Sequence, residues 1–571
     1  MRVGMVVLAL LLSWCVGMFA RGFWTPDEPR EADIAWRMSW QAGKAVPQLA
    51  GEDFCEKPPL TYWLAAIPIK MLGKEAWSAR LPNLLYAFIT ALSIGLLAYR
   101  SAGRFAGIAA AAVVSTFLLS YQVAIWLGTD APLLAAVSVA LLGVYSGFYA
   151  GTDAERVRGY LLMHAALGLG FLCKSAAAWM VPVLAIVTLI LWEKRWRELL
   201  RWELYAGLLL QAAIILTWVW FVYRGSDGPE HLKVFFWNNL VGRFATVNAP
   251  PELQYAAAHR NFPGKYLIEL PMYLLPWTLL VIAAARRAWL QRRSPQSENR
   301  AVRFALAASL PALLVLSLAA TARNIYFAPA LPGFALIVAW WARELPAVAD
   351  HWDVRALRGT AALIGLGIAG FAAALSIAGF DAANHLGFAL YAGVSLIGLA
   401  AAALLAAQSW ATARNNVAQS LWALLLAYCA LLIGPASQLY TRVDSWQDLA
   451  KIARAVQTDT AQRPLVLLAP DETTRAIIDM FARTSAARID GPIDAAWIDR
   501  VASVAKASPG SFFLALLPSQ SPQLPWRAKP KALTAPPWFE AANLQWIESY
   551  ALPNGRRYAL LVSAGNQTAI Q

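Results

Sequence analysis

Charge is what this sequence has least of. Of its 571 residues only 14% are Asp, Glu, Lys or Arg, too few to coat a soluble protein of this length. Cysteine is scarce too: Cys15, Cys55, Cys173 and Cys429, three of them in or beside apolar stretches. None belongs to a C-x-x-C pair, so neither a disulfide framework nor a cysteine metal cluster is indicated. Internal repeats and low-complexity segments are missing, which removes the usual signature of a transporter built from repeats around a midplane site. No Lys/Arg run is interleaved with aromatics, so the formal net charge of +14 does not indicate nucleic acid as a partner.

Apolar residues are what remains. They make up 59% of the chain, and mean hydropathy is +0.49. They come in blocks of about 20 residues, the length that crosses a bilayer. The 26 Trp suit membrane-interface belts, and membrane lipids are the first expected partner. The spacing predicts about thirteen spans, at 3–20, 81–99, 105–121, 131–149, 159–175, 177–192, 204–222, 269–285, 304–320, 325–342, 359–379, 386–407 and 419–437. Residues 3–20 resemble a signal peptide, but Met18-Phe19-Ala20 is a poor cleavage site, so a retained first span is expected.

Basic residues orient the spans. With the N-terminus cytoplasmic, Arg100, Arg104, Arg156, Arg158, Lys194, Arg195, Arg197, Arg201 and the cluster from Arg286 to Arg303 all fall on the inner side, as the positive-inside rule requires. Three long segments then lie outside: 21–80, 223–268 and the tail from 438 to 571. The expected division is a membrane domain, 1–437, and an outer α/β domain, 438–571. In the first outer loop, 27–42 and 58–72 read as short helices lying along the interface. The tail predicts a helix starting at Ser445 or Asp448, a strand Leu465–Ala469, a helix Thr473–Phe481 and a strand Phe512–Leu517. A hairpin is expected at Asn554-Gly555. It shows no catalytic constellation.

The polar residues with chemical potential gather on the outer side. W-T-P-D-E-P-R-E places Asp27, Glu28, Arg30 and Glu31 directly after the first span. Thr25 and Glu28 fit a capping box with Pro26 at the first helical position, although Pro29 weakens it by removing a donor. Glu56 and Lys57 precede Pro58-Pro59, either as a pair marking a helix start or as a phosphate site with a carboxylate neighbour. Asp130 stands at the outer end of a span, where an acid is costly unless it only caps the next helix. Lys174 sits between two spans on the same side. No metal site is read. A divalent cation between Asp27 and Glu28 is the one candidate, and adjacent acids at a helix start more often serve the helix.

The order D-E-x-R, E-K-P-P-L-x-Y-W-L, T-D-x-P-L and G-x-x-F-L-x-K resembles the bacterial branch of the protein O-mannosyltransferase-like superfamily. The nearest likeness is to transferases that add 4-amino-4-deoxy-arabinose to lipid A. W-N-N-L-V-G-R-F, H-R-N-F-P-G-K-Y, L-L-P-W and A-R-N-I-Y-F-A-P-A-L-P agree, and the likeness runs over residues 20–340. It implies an all-α polytopic membrane protein of the GT-C type with a C-terminal soluble α/β domain in a bacterial inner membrane, its site and tail periplasmic. It also implies an inverting glycosyltransferase that uses a polyprenyl-phosphate sugar donor and lipid A or another envelope acceptor. By that resemblance Asp27 is the acid of the reaction centre, and Arg30, Glu56 and Lys57 lie near the donor phosphate. Asp130, His259 and Tyr326 belong to the cavity. Lys57, with Arg30 and Arg243, would stabilise the departing phosphate. A protein hydroxyl acceptor would need Asp27 as a base, whereas a lipid A phosphate would not. Outside enzymes, a lipid or polysaccharide transporter is the rival, and polar residues gathered on one face argue against it. The chain departs from similar proteins at Glu31 and Phe54, both often Tyr there, which bears on which sugar is used.

Overall fold

The computed structural model describes residues 3–41, 45–243, 262–291, 300–319, 323–377, 385–461, 463–482, 487–519 and 535–564. In its described residues every interval expected to span is helical or a bent pair of helices, and the chain is a multi-pass membrane protein. Among the described residues, eight helices are long and apolar enough to cross, or up to ten when each bent pair is one span. Val3–Phe19 and Ala177–Glu193 are apolar but shorter, at 17 residues each. Asp153–Lys174 is long enough at 22 residues but opens on Asp153, Glu155, Arg156 and Arg158.

Two expected spans are broken. The stretch 105–121 divides at Phe117 into Arg104–Thr116 and Leu118–Ile125, bent by 67°, and 269–285 divides into Lys265–Tyr273 and Thr278–Gln291, bent by 111°. Pro271 and Pro276 remove backbone donors around the second break. The breaks meet each other. Leu118 N donates to Leu275 O at 2.8 Å, and Trp277 Nε1 donates to Thr116 Oγ1 at 2.9 Å. Backbone freed in one break is thus satisfied by the other, as an apolar setting demands.

The first outer loop holds helix Asp27–Trp40, a hairpin of β1 (Gln48–Leu49) and β2 (Glu52–Asp53), and helix Leu60–Leu72. The expected capping box at Thr25 does not form. Thr25 Oγ1 donates instead to Gln447 Oε1 at 2.7 Å, and the helix begins at Asp27. Pro29 is no obstacle, because a first-turn N–H has no intrahelical acceptor to lose.

Beyond the last span, helix Pro435–Gln447 continues the polypeptide past residue 437 without a loop, so the expected domain division falls inside a helix. Asp448 then caps helix Leu449–Asp459 by accepting from Ala450 N. The tail is α/β. Its sheet has the order β4-β3-β5-β7-β6, where β3 is Leu465–Leu468, β4 Ala487–Ile489, β5 Phe512–Leu517, β6 Leu544–Ala551 and β7 Arg557–Ser563. β3 is parallel to β4 and β5, and β7 is antiparallel to β5 and β6. Strand alternation sends side chains to two faces. Val466, Leu468 and Phe513 pack on helix Ala495–Ala507 through Trp497 and Val501. Leu465, Leu467 and Leu514 share one apolar core with Ile477, Ile478 and Phe481, and with Phe23, Ala32, Ala35, Ala65 and Ile69 of the first outer loop. The tail is therefore seated on the loop that holds the acidic motif.

Candidate functional site

Asp27 and Glu28 are neighbours in sequence and part company in space. Glu28 is fully buried and ion-paired to Arg21 and Arg80, both at 2.6 Å, all three side chains being 0% exposed. It also accepts from Trp24 N and Leu127 N, each at 2.9 Å. Burial disfavours its charge, but the two guanidiniums prevail and bring its pKa down to about 2. Both carboxylate oxygens are fully engaged, so Glu28 joins the first loop to the span beginning at Ala76 rather than facing a substrate. For the same reason the Asp27–Glu28 pair does not offer a shared cation site.

Asp27 faces another way. Arg323 donates to both of its oxygens, with Nη1 at 3.3 Å from Oδ1. Burial again opposes ionisation, but the Arg323 hydrogen bond and the charges of Arg323, Lys57 and Arg30 hold Asp27 below the usual carboxylate range. Lys57 donates to Glu31, the acid one turn beyond Asp27. Burial resists the ammonium charge, and Glu31 followed by Glu56 outweighs it. Arg30 pairs with Glu472 of the tail at 2.7 Å and also feels Glu31, Glu56 and Asp27. Asn239, in a π-helical turn Val234–Leu240, donates to the carbonyl of Glu56, anchoring the turn that leads into Lys57. Such turns recur at functional sites because they re-aim side chains.

A second group adjoins the first. Lys174 is ion-paired to Asp130, and its ammonium lies 4.5 Å from the centre of the Tyr326 ring. Asp130 opens helix Asp130–Phe148 and Lys174 closes helix Asp153–Lys174, so the antiparallel pair brings them to one end. Arg323 links the groups. Its charge is stabilised foremost by the hydrogen bond to Asp27, against burial, and then by Asp27, Tyr326 and Asp130. Tyr266 Oη donates to the Arg323 carbonyl at 2.7 Å.

Of the residues singled out in sequence, Asp27, Arg30, Glu56, Lys57, Asp130, Lys174 and Tyr326 thus fall into one connected set. His259 lies outside the described residues, as does the side chain of Arg243. Sequence reasoning missed Arg323, Asn239 and Glu472 as members. Arg323 was visible as the Arg of A-R-N-I-Y, but nothing local marks it as the partner of Asp27. Glu472 carried no signal. The two departures also separate. Glu31 is at the cations, whereas Phe54 is buried among Ile34, Leu49, Tyr62 and Ala476 and has no place among the charged groups.

What the arrangement can do is bind an anion and stabilise separating charge. Lys57 and Arg30 supply charge-assisted donors beside a carboxylate held ionised. Among the described residues no group of three His, Cys, Asp or Glu is placed to hold a metal ion.

Known proteins resemble this chain in sequence and in fold. A family of dolichyl-phosphate-mannose-protein mannosyltransferases matches residues 56–221. The undecaprenyl phosphate-alpha-4-amino-4-deoxy-L-arabinose arabinosyl transferase of Pseudomonas aeruginosa (strain UCBPP-PA14) is 30% identical over 294 residues, covering 51% of each chain. The transferase of the same description from Enterobacter sp. (strain 638) is 26% identical over 437 residues, 75% of each chain. The matched part of this chain spans about half the length of the first of these relatives. In fold, the crystal structure of ArnT from Cupriavidus metallidurans bound to undecaprenyl phosphate superposes with a TM-score of 0.73 at 19% identity, covering 98% of both chains. The chain and that crystal structure share one overall fold.

Proposed function

We propose that this chain, a relative of the bacterial aminoarabinose transferases in sequence and fold, moves a sugar from a polyprenyl-phosphate donor to a lipid A phosphate. The sugar is aminoarabinose or a related amino sugar. The protein sits in a bacterial inner membrane with its N-terminus cytoplasmic. The site and the C-terminal domain face the periplasm, because the basic loops fall on the opposite side.

The chemistry follows from the charges. A polyprenyl phosphate leaves with growing negative charge, and Lys57 with Arg30 stabilises it. Asp27 faces the positive charge that develops at the anomeric carbon. Attack from the far side inverts configuration. Asp130, Lys174 and Tyr326 form the adjoining wall, where the sugar or the acceptor is positioned.

The observation that favours one acceptor class over the other is the Asp27–Arg323 pair. A carboxylate held below its usual range is a weak base. A Ser or Thr hydroxyl would need a better one, whereas a phosphate monoester is already anionic and needs none. This supports lipid A phosphate over a protein hydroxyl.

Lipid A mass spectrometry tests the reading in cells with the gene intact, deleted, or carrying Asp27→Ala or Lys57→Ala. An amino-sugar increment present only with the intact gene is the expected result. Lipid A unchanged across all strains would overturn the acceptor assignment.

A further inference from the structure

Glu31 occupies a position that the proposed chemistry does not use. It lies one turn beyond Asp27 on helix Asp27–Trp40, and residues i and i+4 share a helix face. Its side chain is only 8% exposed, and it holds the Lys57 ammonium. A carboxylate neutralises that ammonium, whereas an amide or a phenol could only hydrogen-bond it.

We infer that Glu31 is a resident counter-ion that competes with the lipid phosphate for Lys57, and so sets how firmly the polyprenyl phosphate is retained. The inference rests on the reading that Lys57 receives that phosphate. An ammonium has three donors, so a phosphate can reach Lys57 without breaking its bond to Glu31. What opposes the phosphate is like charge, little screened because Glu31 is buried. Arg30 has the same arrangement with Glu472, but that carboxylate is 54% exposed, and water screens it. Glu31 therefore dominates.

The opposition is unequal across the reaction. The donor is a phosphodiester with one negative charge. Transfer breaks the anomeric C–O bond, and the phosphate keeps the electron pair as a monoester, whose charge at pH 7 approaches −2. Glu31 repels the product more than the donor and favours its release.

The test uses the full chain in lipid nanodiscs and radiolabelled undecaprenyl phosphate, comparing wild type with Glu31→Gln, Glu31→Tyr and Lys57→Ala. Glu31→Gln keeps the shape and can still accept a hydrogen bond from Lys57, and the thermal midpoint of each variant is measured alongside. The expected result is about tenfold tighter binding in both Glu31 variants, about 1.4 kcal/mol, with stronger product inhibition of turnover. Unchanged or weaker binding in the Glu31 variants, while wild type binds and Lys57→Ala does not, overturns this inference alone. Failure of wild type and Glu31 variants alike to bind, or Lys57→Ala binding as well as wild type, removes the phosphate-site reading and the inference with it.

Discussion

Arg323 grips both oxygens of Asp27 across 296 residues of sequence. The acid opens a helix in the first outer loop, and the arginine stands at the threshold of a span about three-quarters of the way down the same membrane unit. Burial raises the pKa of Asp27, and Arg323 foremost, with Lys57 and Arg30, more than offsets it. Replacing Arg323 with Ala leaves burial without its main opponent, so the pKa rises. Activity that needs ionised Asp27 then fails at a higher pH than in wild type. The acid limb of kcat/KM against pH is expected to move upward, with kcat itself down on the order of a hundredfold as a charge-positioning contact is lost. An acid limb that stays in place in Arg323→Ala would separate Asp27 from the rate.

Glu28→Gln is expected to fail by destabilisation. It leaves Arg21 and Arg80 buried without a counter-charge, a loss of about 3–5 kcal/mol. The pH dependence has a definite sign. The folded pKa of about 2 lies below the ordinary 4.5, so the stabilisation is present above 4.5 and is lost as pH falls toward 2. Thermal unfolding of the detergent-solubilised protein, with and without the substitution, checks both statements.

Gly159→Val is expected to abolish activity without touching a charged residue. A Cβ on Gly159 would lie 2.3 Å from Gly147 N, and one on Gly143 would lie 2.5 Å from Met163 N. Backbone stands in the way in both cases. The helices cross at this small-residue seam, a GxxxG spacing on one of them. Asp130 and Lys174 sit at one end of the same helix pair, so forcing the helices apart separates that ion pair. Donor turnover and thermal midpoint measured together would show activity falling further than stability.

The seat of the tail on the first loop is expected to loosen as pH rises. Asp33 is pushed up to about 7, by burial foremost and partly by Asp479, and Asp479 up to about 6, again by burial. One guanidinium, Arg37, bonds both. Folded pKa values above the ordinary 3.8 mean that their stabilising share is full below that value and lost as pH climbs through 6 to 7. Hydrogen exchange in helices Asp27–Trp40 and Glu472–Ala482 should be faster at pH 8 than at pH 5, and Asp33→Asn should flatten the difference. Equal exchange at both pH values in wild type would remove these acids from the docking energetics.

Much of the architecture was legible locally. Long apolar runs read as helices because a bilayer leaves the backbone no other economical way to satisfy itself. The hairpin at Asn554-Gly555 read correctly because a positive φ, here 99° at Gly555, singles out its residue type. The breaks at Phe117 and Leu274–Trp277 were not legible. Pro271 and Pro276 stand at one of them, but the hydrogen bonds that join the two breaks come from residues more than 150 positions apart. Strand β4 and helix Ala495–Ala507 were missed, being short or weakly apolar and held by the sheet rather than by their own pattern.

The site divides in the same way. Sequence by itself determined that this is a multi-pass membrane protein, which loops share a side, and that acids and cations gather on that side. Apolar run length and the charge count of loops are properties of the chain alone. Only the tertiary structure decided that Asp27 meets the cations while Glu28 is consumed in holding the loop. The same holds for Glu31 answering Lys57, and for the tail contributing Glu472 to Arg30. Side chains at consecutive helical positions point about 100° apart, and which of them meets solvent, substrate or a buried guanidinium depends on partners that fold in from elsewhere: Arg80 at 52 residues, Leu127 at 99 and Arg323 at 296.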